Sequence, residues 1–70
     1  MSGLRKRSVV LAGHATSLAL EPEFWDVLEV MAKSRSLSLS ALLADIDGTR
    51  SERPLASACR VAALGFASRR

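Results

Sequence analysis

The chain lacks almost everything that small proteins use to staple themselves together. It has one cysteine, Cys59, so an internal disulfide is excluded. That cysteine and the one histidine, His14, cannot complete a structural zinc site, which needs four ligands. Tyrosine is absent, and the aromatics are only Phe24, Trp25 and Phe66. No apolar run approaches the ~20 residues of a membrane helix. Val9 to Ala12 after Arg5-Lys6-Arg7 imitates a secretory signal, but Gly13, His14, Thr16 and Ser17 interrupt it too early. There is no Gly-rich phosphate loop, no metal cluster and no nucleophile with a matching base. Asp45 and Asp47 stand two apart on a helix, where side chains diverge, so they do not make an acid–base pair. These absences argue against an enzyme and against any cofactor or metal. They point to a cytoplasmic protein, where a free thiol is ordinary.

What is present is apolar. Hydrophobic residues make up 49% of a 70-residue chain. A domain of this size buries only roughly 60% of its unfolded surface and is marginally stable alone. Without disulfide or metal, oligomerisation is the remaining remedy, most simply a two-fold dimer. The net charge is +3. Arg5, Lys6 and Arg7 cluster near one end and Arg69-Arg70 close the other, while Glu21, Glu23, Asp26 and Glu29 crowd a single stretch. Two-fold assembly doubles each basic cluster, the footprint of a protein that meets a polyanion. The plainer reading of the same residues is a pair of solvated tails.

In chain order, residues 1–6 are expected to form a flexible basic arm. Residues 7–12 are β-prone through Val9 and Val10. The main strand spans 14–20, with Leu18 and Leu20 on the inner face beside His14 and Thr16, and Ala15, Ser17 and Ala19 on the outer face. Glu21-Pro22-Glu23 reads as a helix start, because proline suits the first helical position and acids suit the positive end of the dipole. Phe24, Trp25, Leu28 and Met31 then recur at helical steps to about Arg35. Ser38 is the chosen cap of a second helix carrying Leu39, Leu42, Leu43 and Ile46, with Gly48 as its left-handed stop. The core so defined spans residues 7–47. A loop at 48–54, a third helix at 55–67 and a basic tail at 68–70 complete the chain. Cys59 is expected to be a small buried residue of that helix.

The order of strand, helix, serine-led turn and helix resembles the ribbon-helix-helix DNA-binding proteins, the class that includes the Arc and MetJ repressors. The chain is most similar to small bacterial members of that class. Arg7-Ser8-Val9, Gly13-His14, Thr16-Ser17, Leu20-Glu21 and Glu23-Phe24-Trp25 carry the likeness, with Leu37-Ser38, Ile46-Asp47 and the stretch from Leu55 to Arg60. It covers about residues 5–66.

The resemblance implies a mainly α fold with one short strand. Strands from two subunits would pair antiparallel into a ribbon over interlocked helices, and a third helix would follow. The dimer core would be Leu18, Leu20, Phe24, Trp25, Leu28, Leu42, Leu43 and Ile46. Ala15, Ser17 and Ala19 would enter the major groove of double-stranded DNA, as ribbons do in this class. Arg5, Lys6 and Arg7 would hold phosphates, and so would the start of helix two, at Ser38, Leu39 and Ser40. The implied role is transcriptional regulation. One departure stands out: related chains often carry arginine where this one has Ala15, and only Ser17 on the outer face can hydrogen-bond to a base. That leaves open an alternative, a dimeric module that holds another protein, as antitoxin-like relatives do.

Overall fold

A computed structural model describes residues 3–69. Two strands, β1 (Arg5–Leu11) and β2 (His14–Leu20), precede three helices, α1 (Pro22–Ser34), α2 (Leu39–Thr49) and α3 (Leu55–Ser68). The ribbon-helix-helix order is present. The ribbon differs from expectation, because β1 and β2 of the same chain pair antiparallel and one chain holds both strands. The reason is the turn. Ala12 (φ 53°) and Gly13 (φ 81°) both adopt left-handed backbone, the two-residue turn whose twist matches paired strands. Arg5 and Lys6, expected in the arm, are the first residues of β1. Met1 and Ser2 of that arm, and Arg70 of the tail, lie outside the described residues.

The register places Arg5, Arg7, Val9 and Leu11 opposite Leu20, Leu18, Thr16 and His14 on one face. Lys6, Ser8 and Val10 stand opposite Ala19, Ser17 and Ala15 on the other. The inner face packs on the helices. Val9, Leu11, Leu18 and Leu20 join Trp25, Leu28, Leu42, Leu43, Ile46 and Cys59 in one buried cluster. Every expected dimer-core residue except Phe24 is thus buried within a single chain; Phe24 is partly buried against the cluster. The apolar excess is covered largely by the second strand and by α3, leaving Leu4, Val10, Val30, Val61 and Leu64 exposed.

The helix ends follow local chemistry. Pro22 opens α1, and Ser36 (φ 57°) closes it in left-handed backbone. There Leu37 N–H donates to the Ala32 carbonyl at 2.9 Å and Ser36 N–H to the Lys33 carbonyl at 3.0 Å. This is the paired pattern that satisfies the last carbonyls of a helix. Ser38 caps α2 as expected, its hydroxyl accepting from Ala41 N–H at 3.0 Å. Gly48 does not stop that helix. It lies inside α2, and the left-handed residue is Ser51 (φ 57°) beyond it. A methyl group at Gly48 would meet nothing within 4 Å. Gly48→Ala is therefore expected to raise stability by about 0.5–1 kcal/mol, through reduced freedom of the unfolded chain. A thermal melt checks it; a lower melting temperature would contradict the helical placement.

Candidate nucleic-acid interface

The outer face of the ribbon is made largely of small side chains. It presents Lys6, Ser8 and Val10 from β1 and Ala15, Ser17 and Ala19 from β2; all are exposed except Ala19, which is half-buried. Ala15, Ser17 and Ala19 fall on the face assigned to them. Ser8 is an addition: it faces Ser17 directly, so two hydroxyls sit at the centre of the face. The signal for it is the alternation Lys6, Ser8, Val10, which has the strand period of two.

The three basic residues near the N-terminus separate. Lys6 stands on the outer face. Arg5 and Arg7 stand on the inner one, and their strand is tied to α1 through Trp25. The indole Nε1 donates to the Arg5 carbonyl at 2.8 Å. The Arg7 guanidinium lies 4.6 Å from the indole centroid and pairs with Glu29 at 2.9 Å. Arg7 is thus engaged by its own chain at the surface, with its side chain still 37% exposed. On the other side of α1, Arg60 of α3 pairs with Glu21 at 2.9 Å and lies 5.8 Å from the Phe24 ring. The Arg60 hydrogen bond, with a backbone hydrogen bond beside it, holds the Glu21 carboxyl below its usual range. Arg35–Asp45 and Arg50–Asp47 use two further cations. Arg5, Lys6, Lys33, Arg53 and Arg69 form no ion pair with another described residue.

The first turn of α2 offers a second contact point. Ser38 already occupies the Ala41 amide, and the Leu42 amide returns to the Ser38 carbonyl at 3.0 Å. The Leu39 and Ser40 amides stand at the positive end of the helix, where anions are favoured. Lys33 shares a hollow with Glu29, Leu37 and Leu39, so a cation and an acid both stand near this end. Cys59 is fully buried, and burial pushes its thiol up to about 11, away from nucleophilic use. Among the described residues no group of three or more His, Cys, Asp or Glu side chains could hold a metal ion. No helix among them is long and apolar enough to cross a membrane.

A two-stranded antiparallel ribbon on a short helical core is an arrangement that some DNA-binding proteins lay in a groove. Matched against known families, residues 4–66 fit the Ribbon-helix-helix domain. The chain belongs to the ribbon-helix-helix family, in general a family of dimerising DNA-binding regulators and typically not of enzymes. Comparisons with curated proteins and with solved structures give no significant match.

Proposed function

We propose that this protein is a homodimeric DNA-binding regulator whose ribbon lies in the major groove. The observation that carries the reading is the outer face, where Lys6, Ser8 and Ser17 project from an exposed ribbon that a major groove of about 12 Å can admit. Its small side chains let the backbone approach the bases. Phosphates fall to Arg5, Lys6 and the α2 start at Ser38, Leu39 and Ser40, with Lys33 beside them. Arg7 contributes by holding β1 on Trp25.

The dimer would form through β2. In a hairpin closed by Leu11 and His14, the intervening pairs turn their backbone groups outward. Ala15, Ser17 and Ala19 therefore present free N–H and C=O groups along the open edge of β2. A second β2 can pair there antiparallel, and the two central β2 strands would then form the ribbon that enters the groove, with β1 of each copy flanking it toward the phosphates.

The test is binding to random duplex DNA across a salt series. Affinity is expected to fall steeply as salt rises, and an affinity indifferent to salt would sink the proposal. Lys6→Ala should lower the log–log slope by about 0.9 for each protomer, the value for one neutralised phosphate, and so by about 1.8 for the dimer. Arg7→Ala should leave the slope unchanged and act on stability alone. A second reading, a module that holds another protein, draws on the outer face having no Arg, Asn or Gln and on the exposed Val61 and Leu64 of α3. Recovery of a stoichiometric protein partner, with no DNA retained at moderate salt, would favour it.

A further inference from the structure

A trough runs along one flank of α3. Toward the end of the helix, a hollow of about 610 Å³ has Met31 of α1 on one side and Val61, Ala62, Gly65 and Phe66 of α3 on the other. Arg35 and Arg69 also line it. Toward the start of the helix, a second hollow of about 230 Å³ is lined by Ile46 and Thr49 of α2, by Ala58, and by Arg50 and Arg53. Val61 and Ala62 line both hollows, so the two adjoin on α3. Ala58, Val61, Ala62, Gly65 and Arg69 follow steps of three and four residues, which set them on one side of the helix. From Ala58 to Arg69 that side is about 16 Å long, at 1.5 Å per residue.

The trough is apolar along its floor and basic at both ends. Among the described residues, no acid lines either hollow. Arg35 and Arg50 are met by Asp45 and Asp47 of the same chain, but Arg53 and Arg69 form no ion pair with another described residue. Val61, at the middle of the trough, is 51% exposed. An apolar strip rimmed by charge marks an interaction surface. Gly65 is a second sign. It lies inside α3, where glycine is less favourable than alanine, and a methyl group there would meet nothing within 4 Å. The chain's own packing does not ask for glycine, and the missing side chain leaves the trough open to a close approach.

We propose that this trough is a docking groove for an acidic amphipathic helix of another protein. The apolar ridge of such a helix would lie over Val61, Ala62 and Gly65, and carboxylates near its two ends would meet Arg53 and Arg69. A second copy of this chain is a poor occupant, because each of its helices already turns an apolar face into its own core. A nucleic acid would find the arginines but would set its phosphates over an apolar floor. Among the described residues, none of β1, β2 or the α2 start at Ser38, Leu39 and Ser40 lines the trough. The partner could therefore be held while the ribbon lies on DNA, and the inference stands whether or not the ribbon binds DNA.

The experiment is selection of displayed random peptides, about 14 residues or roughly four helical turns long, on the full chain. Binding of the selected peptides is then measured in solution. They are expected to carry apolar residues at three- and four-residue spacing and Asp or Glu near both ends. Gly65→Leu should fill the trough, and Arg69→Glu should repel the acids; each is expected to weaken binding by about tenfold or more. Circular dichroism checks that both variants fold. The proposal is overturned if no such peptides are selected, or if they bind either variant as tightly as the parent. It is equally overturned if random duplex DNA displaces them, which would give the trough to a polyanion. A fall in the sedimented mass of the free chain on Gly65→Leu would give it to a second copy and overturn the proposal as well.

Discussion

Trp25→Ala is expected to remove most of the stability of this chain. Trp25 is 1% exposed and is the largest buried side chain. Truncating a buried tryptophan costs about 3–5 kcal/mol in transfer energy and residual cavity. Two further interactions go with it, the hydrogen bond from Nε1 to the Arg5 carbonyl and the ring face under the Arg7 guanidinium. A domain of this length holds roughly 4–10 kcal/mol in total, at the usual value per residue. The variant should therefore be partly unfolded at room temperature, or melt far below the parent. Trp25→Phe separates the contributions, since it keeps much of the apolar surface and drops the N–H. It should lose less, leaving β1 rather than the whole core loosened. Urea unfolding followed by circular dichroism reads both variants. A loss below about 1 kcal/mol for the alanine change would contradict the packing described, since truncation at a core position costs several times that.

The second large effect is expected from Leu18→Asp. Leu18 is 3% exposed on the inner face of the ribbon, and burying a carboxylate there costs several kcal/mol unless it is paired or protonated. Arg7 is the residue directly across the ribbon, but it is already engaged with Glu29 and Trp25. Burial raises the folded-state pKa of the new carboxyl above its unfolded value. The variant's deficit should accordingly be smallest at acid pH, where the group is neutral in both states and only the lost leucine packing and the buried neutral carboxyl count, and grow as pH rises past the usual carboxyl range. Leu18→Asn should show no such growth. A variant as stable as the parent at neutral pH would show that the ribbon's inner face is not packed. The substitution reports on the core of one chain, since that chain's own helices already bury Leu18, and it does not decide whether two chains associate.

These expectations rest on parts of the fold that the sequence exposed unequally. The α1 start at Pro22 and the α2 start at Ser38 were legible because capping is local chemistry, decided within four residues. The inner and outer faces of β2 were legible because a strand alternates with period two. β1 was obscured by its own composition. Arg7 stands on the inner side of the register and is only half-buried, and a charged residue there reads as a solvated arm until its partner is known. That partner, the Trp25 and Glu29 side of α1, lies about twenty residues away in the chain. Gly48 misled for a different reason. The helix continues one residue to Thr49, whose hydroxyl donates to the Asp45 and Ile46 carbonyls at 3.3 Å, and the reversal falls to Ser51. In the candidate site, Ala15, Ser17 and Ala19 could be placed from the alternation alone. The diversion of Arg7 depends on contacts with Trp25 and Glu29, about twenty residues on, that no local pattern encodes.

The arginine that joins α3 to α1 carries a kinetic consequence. The ribbon closes through a two-residue turn, and α1 and α2 are neighbours in the chain, so these pieces can assemble through short loops on a microsecond scale. The Arg60–Glu21 contact spans 39 residues and is the longest-range side-chain hydrogen bond among the described residues. Helix α3 should dock last and leave first. Its amides are expected to exchange with solvent faster than those of β2 and α1. Substitutions along it should speed unfolding while leaving the rate of folding nearly unchanged.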